Sequence, residues 1–151
     1  MKNCYVAQSG GPTAAINASL AGVIKGVLEH SDFDRIYGSL NGITGILEGR
    51  YLDLTDIFYK EETLNLLKRT PAMYLGSCRF KLPDFLDDDS AYIYIFQQFE
   101  ALNIKAFFYG HFALAEIIFA NFNNFCAKLN GSKFRFFWHK ICNIANKPSR
   151  I

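Results

Sequence analysis

With 151 residues, half of them apolar and a fifth charged, the chain has the size and composition of one folded domain or a piece of a larger one, which excludes a disordered segment. No uninterrupted apolar run approaches the roughly 18 residues of a membrane span, and the run behind Met1-Lys2-Asn3 is too short for a secretory leader, so a cytoplasmic protein with no membrane contact is expected. The net charge of +2 is unevenly divided: residues 1–109 hold 10 Lys/Arg against 13 Asp/Glu, whereas residues 110–151 hold 6 against 1.

Cys4-Tyr5-Val6-Ala7-Gln8 reads as a buried strand that stops at Ser9-Gly10-Gly11-Pro12. Thr13 is placed to cap the helix that follows, in which Ile16, Leu20, Val23, Ile24 and Val27 recur at helical spacing from Ala14 to Leu28. Arg35 to Leu40 is the second expected strand. Asn41-Gly42 marks a turn, and Ile43 to Leu47 a short helix closed by Gly49. Thr63 to Lys68 reads as a further helical piece. Met73-Tyr74-Leu75 reads as a brief strand entering the loop Gly76-Ser77-Cys78-Arg79. An acidic turn from Pro83 to Asp89 precedes an amphipathic helix over Ser90 to Leu102, with Tyr92, Ile95, Phe96 and Phe99 on one face. Lys105 to Tyr109 is the next strand. Alternating strands and helices predict an α/β fold, a Rossmann-like three-layer arrangement around a parallel sheet. Beyond Tyr109 the pattern weakens: helical spacing can be traced from Ala113 to Phe125 despite three asparagines, and Phe134 to Trp138 reads as a strand.

A glycine pair between a strand and a helix lets backbone N–H groups approach an anion, next to the positive end of the helix dipole. The segment lacks the Gly-Lys-Ser/Thr ending of a P-loop and the spacing of a dinucleotide fingerprint, so on its own it reads equally as a tight turn.

Three blocks carry a resemblance. Gln8-Ser9-Gly10-Gly11-Pro12-Thr13-Ala14-Ala15-Ile16-Asn17-Ala18, then Tyr37 to Arg50 (YGSLNGITGILEGR), then Tyr74-Leu75-Gly76-Ser77-Cys78-Arg79-Phe80 resemble, in order and spacing, the N-terminal portion of the phosphofructokinases over residues 3–109. The resemblance implies transfer of a phosphoryl group from diphosphate or ATP to fructose 6-phosphate in glycolysis, with Mg²⁺, by a homo-oligomeric cytoplasmic kinase. It places Gly10 and Gly11 at the phosphoryl donor, together with Arg79 and Phe80. A guanidinium suits that role because it grips phosphate oxygens with two parallel donors; the alternative is a surface arginine beside the acidic turn. Pro12-Thr13, where ATP-using relatives carry Asp-Ala, resembles the diphosphate-dependent branch. Ala21 stands where allosteric relatives place an effector-binding arginine.

The family's Mg²⁺ loop, Gly-Gly-x-Asp, should follow the strand ending at Tyr109, but the sequence reads Gly110-His111-Phe112-Ala113. The later Thr-Ile-Asp-x-Asp segment with the catalytic aspartate is also missing. No residue is therefore assigned as catalytic or as a metal ligand. The pattern breaks where the charge balance changes, and an out-of-frame or otherwise non-native tail over residues 110–151 accounts for both. The expectation is a partial domain over 1–109 and an atypical tail over 110–151, the whole a truncated and inactive fragment. Two alternatives remain: a small phosphate- or nucleotide-binding module, and an interaction protein whose tail covers the open sheet edge or docks on a full-length subunit.

Other constellations weigh little. The four cysteines lie far apart with no Cys-x-x-Cys pair, which favours reduced thiols over a disulfide framework. Cys126, His139 and Cys142 fit no structural zinc pattern. The basic aromatic run Lys133 to Lys140 is too small a footprint for nucleic acid. His111 reads as structural, and Asp87-Asp88-Asp89 as a solvated helix start.

Overall fold

The computed structural model describes residues 2–10, 14–84, 87–111 and 114–119. Five strands form one sheet in the order β3-β2-β1-β4-β5. β1 (Asn3–Ser9) lies at the centre and runs parallel to β2 (Arg35–Ser39) on one side and to β4 (Ile104–His111) on the other. β3 (Tyr51–Asp53) and β5 (Leu114–Phe119) close the two edges.

The sheet parity explains the layers. Cys4 and Val6 point to one face, where α1 (Ala14–Glu29), α3 (Leu54–Ile57) and α4 (Glu61–Arg69) cover them with Leu20, Ile24, Val27, Leu54, Leu64 and Leu67. Tyr5 and Ala7 point to the other, against α2 (Gly42–Leu47) and α5 (Ser90–Ala101). On that second face Tyr5, Phe99 and Phe107 form an aromatic cluster with centroids 5.1–6.1 Å apart. Full burial of each such side chain contributes about 1.5–3 kcal/mol. The register slips between Asn3 and Cys4, whose partners in β4 are Ile104 and Ala106. That irregularity puts Ile104 and Ala106 in opposite core clusters although they lie two residues apart.

Local chemistry sets the helix ends. Asp53 caps α3 by accepting a hydrogen bond from the Thr55 N–H at 3.0 Å. In α4, Glu61 and Glu62 occupy the first turn and Lys68 and Arg69 the last, both complementing the helix dipole. In α5, Tyr92, Ile95 and Phe99 are buried at spacings of three and four residues, as the sequence predicts, and the Tyr92 hydroxyl donates to the Pro83 carbonyl. No helix of the described residues is long and apolar enough to cross a membrane.

The three-layer α/β fold stands as expected, but the parallel arrangement holds only for its three central strands. β3 pairs antiparallel with β2, and β5 antiparallel with β4. Connection length is the reason: a parallel neighbour needs a crossover of a dozen or more residues. Only two residues separate His111 from Leu114, and residues 40–50 return beside β2 through the short α2, with Leu40 N–H donating to Arg50 O at 3.1 Å. Residues 114–119, Glu116 among them, are strand and not the helix the spacing suggested. Isoleucine and phenylalanine suit a strand, and the outer edge of β4 supplies the ladder. Residues 73–75 join no strand; side-chain amides bind their backbone instead. The expected cap at Thr13 and the strand over Phe134–Trp138 lie outside the described residues.

Candidate anion site at the carboxyl edge of the sheet

β1, β2 and β4 all end at the same edge, at Ser9, Ser39 and His111. The chain leaves β1 for β2 on one side and later enters β4 on the other, so the direction of winding reverses at β1. In open α/β sheets, ligands bind in the crevice beyond the strand ends at such a point. Gly10 sits there with φ 96°, a conformation that L side chains rarely adopt, and α1 begins four residues later. Gly11, the other half of the expected turn, lies outside the described residues.

Two more segments meet the end of β1 at this edge. At Gly42, with φ 59°, an added Cβ would stand 3.1 Å from the Gln8 carbonyl oxygen and 3.4 Å from the Cys78 sulfur. The strand leading to the glycine turn, the start of α2 and the loop preceding Arg79 are thus packed around a position with no room for a side chain. Asn41 donates its N–H to Leu75 O at 2.8 Å, and its side-chain amide fills the space beside Gly76. Arg79 and Phe80, expected at the donor, are exposed on the loop that leaves this junction. Arg79 forms no hydrogen bond or ion pair with a described residue, the acidic residues at 84 and 87–89 included. Among the described residues, then, no acidic side chain pairs with it.

Buried amides tie the junction together, and the sequence reading assigned them no role. Gln8 is 2% exposed and Asn17 fully buried. Gln8 Nε2 donates to Asn17 Oδ1 at 3.1 Å and to Ile16 O at 3.3 Å, while its Oε1 accepts from Leu75 N–H at 2.9 Å. Asn17 Nδ2 donates to Thr70 O at 2.9 Å and Ala72 O at 2.7 Å, and its Oδ1 also accepts from Tyr74 N–H at 3.0 Å. The available signal was two amides bracketing the glycine turn, one on an otherwise apolar strand and one on the apolar face of a helix.

Titration differs sharply between the two described cysteines. Burial pushes the Cys4 thiol up to about 12. For Cys78 burial pushes upward too, but hydrogen bonds from the Thr44 side chain and from the backbone N–H groups of Phe80, Thr44 and Ile43 outweigh it, and the thiol lies below its ordinary value. With a water-soluble thiol reagent near neutral pH, peptide mapping should find Cys78 labelled before Cys4, by about tenfold or more in rate. Equal rates in the folded chain would contradict this packing. Tyr109, at the end of β4, is likewise pushed up by burial, although a hydrogen bond with Ser9 works the other way.

The edge is poor in carboxylates. Among the described residues no three His, Cys, Asp or Glu side chains come together to hold a metal ion.

No protein-family model matches the chain. Pyrophosphate–fructose 6-phosphate 1-phosphotransferase of Halomonas elongata is 40% identical over 109 residues, 72% of this chain and 26% of the relative. The enzyme of the same name from Methylococcus capsulatus is 36% identical over 110 residues, again 72% of this chain and 26% of the relative. The crystal structure of pyrophosphate-dependent phosphofructokinase from Marinobacter aquaeolei superposes with a TM-score of 0.62 at 36% identity, covering 72% of this chain and 26% of that one. The pyrophosphate-dependent phosphofructokinase of Nitrosospira multiformis gives 0.62 at 38% identity, over 71% and 25%. The chain thus spans about a quarter of the length of these relatives. Over that matched span, sequence and fold alike resemble an N-terminal segment of the pyrophosphate-dependent phosphofructokinases.

Proposed function

We propose that this chain is a cytoplasmic phosphofructokinase segment that binds diphosphate at the Gly10-Gly11 turn and the Arg79-Phe80 loop without completing the transfer to fructose 6-phosphate. The observation that carries this reading is the convergence of the end of β1, which leads into Gly10, and of Cys78, which precedes Arg79, around Gly42 at the switch point of the sheet. Backbone N–H groups and the start of α1 favour the anion, and Arg79 adds two parallel donors. Phosphoryl transfer rests on positioning and charge neutralisation, and the sequence reads Gly110-His111-Phe112-Ala113, with no acidic residue, where the Mg²⁺ loop of the resembled family is expected.

We place the boundary between the family-like part and the tail after residue 109. That is where resemblance ends, not where the sheet ends: β4 runs on to His111, and β5 pairs along it from His111↔Leu114 to Ala106↔Phe119. This pairing favours a second reading, a module whose own tail protects its sheet edge and that docks on a full-length subunit. Co-purification with an intact phosphofructokinase separates that reading from the first.

Calorimetric titration of the 151-residue chain tests the main proposal. Diphosphate should bind saturably, ATP should compete weakly, and no fructose bisphosphate should form when fructose 6-phosphate and Mg²⁺ are added. Arg79→Ala should weaken diphosphate binding by about tenfold or more, the worth of a charge-assisted hydrogen bond, with Arg79→Lys intermediate. An unchanged affinity in Arg79→Ala would remove Arg79 from the site. Measurable turnover would refute the inactive-segment reading.

A further inference from the structure

We propose that Gln8 and Asn17 are a positioning pair whose task is to set the loop carrying Arg79 against the glycine turn. The inference rests on the donor-site reading above and adds to it the residues that hold its two halves in register.

Both side chains are buried, where an unpaired amide is costly. All four of their N–H bonds and both oxygens have partners. An apolar pair of similar volume would fill the same space without polar atoms to satisfy, so packing β1 on α1 does not by itself call for amides. What the amides specify is shown by where their bonds go. Thr70, Ala72, Tyr74 and Leu75 contribute four of the partners, all in a segment with no helix or strand of its own. Within it Ala72 has φ 62°, a left-handed conformation that a residue with a Cβ keeps only when its surroundings fix it. Asn17 fixes it from both sides, taking up the Ala72 carbonyl and the Tyr74 N–H. From Leu75 the chain passes directly into Gly76-Ser77-Cys78-Arg79. Gln8, at the other end of the network, lies two residues before Gly10. A displacement of the turn is thereby transmitted to the arginine loop through two side chains, and the reverse holds equally.

A double-mutant cycle on the full chain, read alongside amide hydrogen exchange, tests the role. Asn17→Asp keeps the shape of the side chain but turns an oxygen towards the carbonyls of Thr70 and Ala72. Gln8→Met is the second variant, apolar and of similar volume. In the natural chain the Tyr74 and Leu75 amides should be protected from exchange. In each variant that folds, helical circular dichroism should persist, while Tyr74 and Leu75 protection and diphosphate affinity each fall by about tenfold. The decisive reading is the coupling: the roughly tenfold penalty of Arg79→Ala should shrink to about twofold or less once the pair is broken, because the loop no longer presents its guanidinium to the turn. A purely structural role would lower the melting temperature and leave the Arg79→Ala penalty unchanged. Independent penalties, freely exchanging Tyr74 and Leu75 amides in the natural chain, or failure of both variants to fold would each overturn the positioning role. Absence of diphosphate binding by the natural chain overturns the donor-site reading, and the positioning role with it. Binding with independent penalties overturns the positioning role alone.

Discussion

Gly45→Ala should destabilise the chain, whereas the same substitution at Gly22 should stabilise it. Gly45 lies inside α2 where that helix packs directly on backbone. An added Cβ would overlap the Leu40 carbonyl oxygen and stand 2.7 Å from Ser39 Oγ and 2.8 Å from the Arg50 carbonyl oxygen. None of these can swing aside. Ser39 Oγ donates to Gly42 O at 2.6 Å, Leu40 N–H to Arg50 O at 3.1 Å and Arg50 N–H to Gly45 O at 2.7 Å, so relief of the clash would break the bonds that fold residues 39–50 on themselves. Overpacking in a core costs about 1–3 kcal/mol, and with backbone as the obstacle the upper end applies. For a chain of this length that lowers the thermal midpoint by roughly 6–12 °C. At Gly22, on an exposed part of α1, an added Cβ meets nothing within 4 Å. There alanine should stabilise by about 0.5–1 kcal/mol through helix propensity and a less free unfolded chain. Thermal melts of the two variants, compared with the natural chain, give the signs directly. If both variants move the midpoint the same way, α2 does not sit against residues 39–50 as described. The prediction bears on the candidate site because the start of α2 holds the Cys78 sulfur and Gly42 separates it from Gln8.

Elements with their own periodicity or turn chemistry were legible in the sequence. The apolar stripe of α1, the Tyr92–Ile95–Phe99 face of α5 and the apolar runs of β1 and β4 needed no tertiary knowledge, and Asn41-Gly42 announced a turn that the structure builds with φ near +60° at both residues. What could not be read depended on partners far along the chain. β3 is three residues long, and its only reason to be a strand is the open side of β2. Residues 114–119 fit a helix by spacing, and the edge of β4 makes them a strand. Residues 73–75 have strand-like side chains, but Gln8 and Asn17 claim their N–H groups, and those contacts span 57 and 67 residues. The candidate site divides in the same way. Gly10 could be singled out as a turn glycine from its neighbours alone. Arg79 gained its place only through the family resemblance, because nothing local tells a phosphate-binding arginine from a surface one.

Above pH 9 the chain should unfold at progressively lower temperature or denaturant concentration, and the steepest loss should trace to Cys4 and Tyr5. Both lie at the centre of the sheet, on opposite faces. Burial pushes the Cys4 thiol from 9.0 to about 12. Burial likewise moves the Tyr5 phenol from 10.0 to about 12, with a hydrogen bond to Ser39 opposing it. The folded state keeps these protons while the unfolded chain releases them. Stability is therefore whole below the unfolded values, begins to fall near pH 9 and continues to fall until the folded groups themselves titrate near pH 12. At about 1.4 kcal/mol per tenfold in proton affinity, Cys4 accounts for about 4 kcal/mol of the loss by pH 12 and Tyr5 for about 3, a large share of a marginal total. Tyr109 and Tyr37, raised chiefly by burial, act in the same direction. Cys78 acts in the opposite one: its folded thiol lies below its ordinary value, so it adds stability as pH rises towards 9 and delays the decline. Urea midpoints measured from pH 7 to 11 in the natural chain and in Cys4→Ala separate these contributions, because only the Cys4 thiol differs between the two. The variant should start lower, having lost core volume, yet its decline should begin about one pH unit later and be shallower to pH 10.5. Parallel curves would mean that the Cys4 thiol is not held protonated by the sheet. Assays of diphosphate binding at the edge formed by Ser9, Gly10 and Tyr109 accordingly belong below pH 9, where a weakened affinity reports on the site and not on loss of the sheet that builds it.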